Sequence, residues 1–233
     1  MAQAAAGPGK RRRGHYHHGD LPRALIEAAT EMARQGGPDA VVLRAAARAV
    51  GVSAAAAYRH FADHGELLQA VREQALDTLA TAMLTSLRSD QPLPDPAQES
   101  LRRFRALGAA YVGFALGDPG LFRTAFCRPD KPLSAGLVQQ MTAHSPFALL
   151  AGVLDELVTT GVLAPSRRPG AEIAAWSAVH GLATLMLDGP LALLTDAERA
   201  SAIVRIGDFA LDGITAQPSA ERIGAAQPAE QSR

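Results

Sequence analysis

The 233-residue chain carries 23 Lys and Arg against 23 Asp and Glu, with 48% apolar and 20% charged residues. That balance is ordinary for a globular protein able to bury a core, and it excludes a collagen-like chain and a charge-only tail. A single cysteine, Cys127, excludes an intramolecular disulfide and a Cys-based zinc cluster, and no run of about 18 apolar residues offers a membrane-spanning helix. The basic residues at the N-terminus are followed by no apolar stretch of a signal peptide, so a reducing cytoplasm is the expected compartment. The even total hides an asymmetry. Residues 1–62 hold nine Lys and Arg against four acids, and the remainder holds 14 against 19. A basic first quarter on an acidic body points to a polyanion partner for that quarter, or else to a solvated basic tail.

Helix signals dominate and strand signals are nearly absent. Residues 1–18, rich in Ala, Gly, Arg and His, read as a flexible basic arm. Asp20 reads as an N-cap with Pro22 in the first turn, and Leu21, Leu25, Ala28, Ala29 and Met32 form one apolar stripe. Gly36-Gly37-Pro38 ends that helix. A second helix over about 42–50 turns Leu43, Ala46, Ala47 and Val50 inward, with Arg44 and Arg48 on an outer face. In Gly51-Val52-Ser53, glycine supplies a left-handed turn, Val52 plugs the core and Ser53 caps a third helix over about 54–61. Asp63 with Glu66 resembles a capping box and opens a long helix to about 88, with Leu68, Val71, Ala75 and Leu79 buried. Three prolines break the chain at 89–96. Further helices are expected at about 97–116, 118–126, 146–160, 170–187 and 195–215, and residues 216–233 read as a disordered tail.

Two helices joined by Gly-Val-Ser, the second ending in Tyr58-Arg59-His60-Phe61, have the pattern of a helix-turn-helix. Tyr16-His17-His18-Gly19-Asp20-Leu21, Leu43-Arg44-Ala45-Ala46-Ala47, Gly51-Val52-Ser53 and Tyr58-Arg59-His60-Phe61, in that order, resemble the TetR family of bacterial transcriptional regulators over about residues 15–70. Trp176-Ser177-Ala178-Val179-His180-Gly181-Leu182 is similar to the WHG-type effector domain of one branch of that family. The resemblance implies an all-α subunit. A helix-turn-helix DNA-binding domain would span 19–62, a connecting helix 63–88, and an effector-binding and dimerisation domain 97–215. It also implies a repressor of double-stranded operator DNA that a small effector releases.

On this reading the DNA-binding residues are Arg44, Ser53, Ala54, Ala55, Tyr58, Arg59, His60 and His64. Arg44 has the chemistry for a base edge or a phosphate, and Tyr58 and His60 have donors for phosphates. Ala54 to Ala57 fill the face that should read bases, and alanine offers only methyl contact to thymine, so DNA shape and the Arg11-Arg12-Arg13 run are expected to share in specificity. His64 stands where many sequences of that family have a lysine, so its charge there would depend on pH.

The aromatics of the body serve as core or as ligand wall. The candidate ligand-binding residues are Phe104, Tyr111, Phe122, Trp176 and His180, lining a pocket for a small apolar effector. The last two helices are expected to form a homodimer, with Ala200, Ile203, Val204, Gly207, Ala210, Leu211 and Ile214 as a close-packing stripe. Tyr16-His17-His18 lacks further ligands at a metal-site spacing, and no phosphate loop, nucleophile motif or carboxylate pair stands out. No metal, cofactor or enzymatic activity is therefore expected. The alternative from a different class is a helical small-molecule-binding or interaction protein whose N-terminal unit no longer binds DNA.

Overall fold

The computed structural model describes residues 21–127 and 145–216. The basic arm with its Arg11-Arg12-Arg13 run, the Tyr16-His17-His18 group, the Asp20 cap and the tail beyond Ala216 lie outside the described residues. Among the described residues the chain is all-α, with α1 at Leu21–Gly36, α2 at Leu43–Ala49, α3 at Ala54–Tyr58, α4 at His64–Leu87 and α5 at Pro96–Gly117. Then follow α6 at Pro119–Ala125, α7 at Pro146–Thr159, α8 at Ala171–Asp188 and α9 at Asp196–Thr215.

The helix starts follow from local chemistry. Asp95, Asp118 and Ser145 each precede a proline and cap the helix behind it, accepting from the N–H groups of Ala97, Leu121 and Ala148 at 3.0, 3.3 and 3.2 Å. Proline at the first helical position loses nothing, because its missing N–H has no intrahelical acceptor there. Thr195 and Glu198 form a reciprocal capping box at the start of α9. Asp63 caps α4 by accepting from Glu66 N–H at 2.9 Å, while the Glu66 carboxylate reaches back to Ala62 N–H at 2.7 Å.

Two hydrophobic clusters divide the molecule. The first gathers Leu25, Ala29 and Ala33 of α1, Leu43, Ala46 and Ala47 of α2, Ala57 and Phe61, with Leu67, Val71 and Ala75 from the first half of α4. The second gathers Leu79, Met83 and Leu87 from the other half of α4 with α5, α7, α8 and α9. Two helices belong to both. The long α4 runs from one cluster into the other, and α6 gives Leu121 and Ala125 to the first and Phe122 to the second.

Some expected details differ. On α4 it is Leu67, not Leu68, that is fully buried; Leu68 packs half-buried at the edge of the first cluster. The third helix ends at Tyr58 rather than near 61, because Phe61 turns into the core and Asp63 must start α4. The expected stripe on the last helix splits. Ala210, Leu211 and Ile214 are buried in their own subunit and Gly207 lines a cavity, whereas Val204 stays exposed. The residues turned inward are those that pack on α5 and α8 to close the body.

Candidate functional site

The N-terminal unit presents its polar groups outward because its apolar ones fix the helices from beneath. On α2 the burial of Leu43, Ala46 and Ala47 leaves Arg44 and Arg48 in solvent. The chain then turns at Gly51, whose φ of 78° is the left-handed conformation glycine adopts without strain. Val52 N–H donates back to the Ala47 carbonyl at 2.9 Å, and the Ser53 hydroxyl accepts from Ala56 N–H at 3.2 Å. Ala57 is fully buried and anchors α3. Ala55, Tyr58, Arg59 and His60 are exposed, as are Ser53 and His64, the first residue of α4; Ala54 is half-buried.

Within the N-terminal unit Arg23 and Arg34 hold carboxylates, but among the described residues the arginines of α2 and the end of α3 do not. Arg102, Arg103, Arg105, Arg123 and Arg168 all hold carboxylates. Arg44, Arg48 and Arg59 form no ion pair among the described residues, so their guanidinium groups remain available to an anionic partner outside the chain. The exposed set offers Arg, Ser, Tyr and His donors for phosphate oxygens, and Arg for the acceptor pair on guanine.

A cavity of about 420 Å³ opens in the body, within the range of small-molecule sites. Its wall is drawn from α4, α5, α8 and α9, the residue after α6 and the start of α7. Of the five residues the sequence suggested for a ligand wall, Phe104, Tyr111 and Trp176 line it. Phe122 and His180 do not. Phe122 is buried in the core edge-on to Tyr111, with ring centres 5.7 Å apart, and His180 lies behind Tyr111 and Phe126. The places they would take are filled by Phe126, Phe147 and Leu150, and by Arg72 and Leu76 from α4. Helical spacing around Trp176 pointed to His180 but carried no information on which α4 residues face the body. Gly108 and Gly207 line the cavity without a side chain; the sequence put Gly207 in the dimer stripe and gave no sign of Gly108.

Trp176, Tyr111 and His180 form one hydrogen-bonded chain beside the cavity. Trp176 Nε1–H donates to Tyr111 Oη at 2.9 Å, and Tyr111 Oη lies 2.8 Å from His180 Nδ1. The Tyr111 hydroxyl donates to Nδ1 in one imidazole tautomer and accepts from Nδ1–H in the other, so the bond forms with either. Burial lowers the His180 pKa and pushes the Tyr111 hydroxyl well above the ordinary phenol value. Both stay neutral near pH 7.

The two sites are joined through α6. At its start, Asp118 accepts from Arg34 Nε of α1 at 2.7 Å, and Gly120 sits against the carbonyls of Ala33 and Arg34 so closely that a Cβ would lie 2.3 Å from either oxygen. At its end, the Ala125 carbonyl accepts from Arg72 Nε at 3.0 Å, and the next residue, Phe126, enters the cavity wall.

Comparison with known proteins places this arrangement. Residues 25–71 match the family described as bacterial regulatory proteins, tetR family. Residues 104–205 match the tetracyclin repressor-like C-terminal domain. A structure of a protein with unknown function from Rhodococcus sp. RHA1 is similar, at 28% identity and a TM-score of 0.70, over 87% of this chain and 100% of that one. A TetR family transcription regulator from Marinobacter aquaeolei VT8 shares the fold, at 21% identity and a TM-score of 0.59, over 83% of this chain and 94% of its own. So does a tetR-family transcriptional regulator from Streptomyces coelicolor, at 20% identity and a TM-score of 0.56, over 92% and 93%. Curated protein sequences give no match. No helix among the described residues is long and apolar enough to cross a membrane.

Proposed function

The chain belongs to the tetR family of bacterial regulatory proteins, and from that premise we propose that it is a homodimeric repressor that leaves operator DNA when a small apolar molecule fills the body cavity. Arg44, Ser53, Tyr58, Arg59, His60 and His64 contact the DNA, with Ala54 and Ala55 at the base edges. Phosphate contacts set the docking, and Arg44 supplies base readout. The protein acts in the cytoplasm, where operator DNA is found.

The observation that carries the reading is the double attachment of α6. Its start is fixed to α1 by Arg34–Asp118 and by the close approach of Gly120, and its end meets the cavity through Phe126. A molecule that moves Phe126 moves α6 as a unit, and the tight contact at Gly120 passes the displacement to α1. The two α1–α3 units of a dimer bind DNA only at the spacing of two half-sites, so a small rotation of each lowers affinity. Effector and DNA then oppose each other because each favours a different setting of α6.

The dimer forms through the last two helices by way of apolar residues their own subunit leaves exposed. These are Ile173 and Leu185 on α8 and Val204 and Phe209 on α9, with Ile173, Val204 and Phe209 between 60% and 70% exposed. Their exposure on the last two helices supports that placement.

A second reading is favoured by one observation. Ala55 is exposed and Ala54 half-exposed on α3, so the helix that should read bases has little to read them with. A cavity-bearing protein that no longer binds DNA fits that feature. A mobility-shift assay against the DNA flanking the protein's own gene separates the two. The regulator forms a complex that survives excess unrelated DNA; the alternative forms none.

A further inference from the structure

Among the described residues that line the cavity, Arg72 is the only charged one. The rest of the wall is apolar except for Tyr111, Ser145 and Trp176, and the Tyr111 and Trp176 polar atoms are already bonded to each other. The Arg72 guanidinium is fixed by one bond, Nε to the Ala125 carbonyl at 3.0 Å. Its Nη1 is buried and has no hydrogen-bond partner, and Arg72 forms no ion pair among the described residues. A guanidinium remains charged in any protein environment, and burying one of its N–H groups unpaired is costly. An unpaired buried N–H of this kind calls for a partner, and a bound anion would supply one.

We propose that the ligand of this cavity is an amphipathic carboxylate, whose apolar part fills the space between Phe104, Phe126 and Trp176 and whose carboxylate pairs with Arg72. The proposal rests on the effector-binding reading above and adds the chemical class of the effector. A carboxylate presents two coplanar acceptors that suit the guanidinium fork, and beside an apolar wall such a charge-assisted pair is stronger than in bulk water. The volume of about 420 Å³ holds roughly a dozen water-sized groups at about 30 Å³ each. A medium-chain or single-ring acid therefore fits. The position of Arg72 also gives the head group a role in the response. Arg72 lies on α4, which runs into the DNA-binding cluster, and it holds the end of α6. A carboxylate that draws the guanidinium inward pulls on the Ala125 carbonyl, so ligand charge and ligand bulk act on the same helix.

The test uses the full chain and chain-matched probes: hexanoate, octanoate, decanoate and phenylbutyrate, each against its alcohol. Trp176 is the sole tryptophan and lines the cavity, so its emission reports occupancy directly. At least one acid of the series is expected to bind about tenfold or more tightly than its alcohol. Arg72→Met should bring each acid and its alcohol to equal affinity, and Arg72→Lys should retain part of the preference. A measurement on the unaltered chain does not depend on how the variants fold. The carboxyl of a carbon-13-labelled bound acid, titrated by NMR, should show a pKa below its value in water, because a guanidinium partner lowers it whereas an apolar cavity alone raises it. Equal affinity for acid and alcohol, a raised pKa of the bound acid, or no binding by any acid overturns the assignment. If alcohols bind and release DNA as well as the acids do, the effector cavity stands and only the carboxylate is lost.

Discussion

Arg34 of α1 and Asp118, the residue that caps α6, are joined by an Nε–Oδ2 bond of 2.7 Å across 84 residues of sequence. Asp118 thereby serves two helices at once, since its other oxygen accepts from Leu121 N–H. The Arg34 side chain is 45% exposed and that of Asp118 18%, so the pair is partly screened by solvent. Its contribution to stability is about 1 kcal/mol or less. Its larger consequence is positional: it ties the start of α6 to the end of α1.

Arg34→Ala and Asp118→Ala should therefore differ. The first loses the pair and costs about 0.2–1 kcal/mol. The second also loses the α6 cap, worth about a further 1 kcal/mol. Urea unfolding of both proteins checks this, and equal losses would show that Asp118 does not cap α6 in solution.

Gly120→Ala should be costly for a different reason. A Cβ there meets two backbone oxygens at 2.3 Å, and backbone cannot rotate aside as a flexible side chain can. The helices must part, at a cost of about 1–3 kcal/mol. Thermal unfolding should show a lower midpoint, and the separated helices should bind operator more weakly. A variant with the parent's midpoint would mean that α1 and α6 are not in this contact.

His180 gives a pH dependence whose sign follows from its burial. Its pKa in the fold lies below the ordinary value near 6.5. The unfolded chain therefore binds more protons as the pH falls through about 6.5, and stability falls with it. The contribution is complete above the unfolded pKa and is lost toward acid. His180→Asn keeps an acceptor for the Tyr111 hydroxyl without titrating. Between pH 7.5 and pH 5.5 its stability should fall less than the parent's. Identical curves would place His180 in solvent.

Phe209→Glu should give monomers. Phe209 is 70% exposed on α9, so the change leaves the subunit core intact while placing a charge on the proposed dimer face. Sedimentation should show the loss of the dimer, and operator binding should go with it. A dimer that survives the change, with Val204→Glu behaving the same way, moves the interface off this face.

Most of the fold was legible in the sequence, because it was written in local chemistry. Proline- and glycine-bearing breaks separated α5, α6 and α7, Gly51-Val52-Ser53 marked the turn, and 3.6-residue stripes marked the buried faces. What could not be read was how helices face one another. The stripe on α9 is apolar whichever way it turns, and only packing on α5 and α8 decides that Gly207, Ala210 and Leu211 point inward while Val204 and Phe209 do not. Arg72 looks in sequence like any solvated arginine of a long helix. Its place on a cavity wall depends on α6, α7 and α8 closing around α4. His180 was drawn toward the cavity by its spacing from Trp176, but Tyr111 occupies the place between it and the open space.

The central claim, that α2, α3 and the start of α4 bind operator DNA, is tested most directly by fluorescence anisotropy on the duplex flanking the protein's own gene across a salt series. Binding should be saturable with two subunits per site, and log affinity should fall linearly against log salt at roughly −0.9 per phosphate neutralised. Tyr58→Phe should weaken binding on every sequence, and Arg44→Ala should cost about 1–3 kcal/mol and relax preference at one base pair in each half-site. Binding that is indifferent to salt, or that is unchanged by loss of both Arg44 and Tyr58, would contradict it.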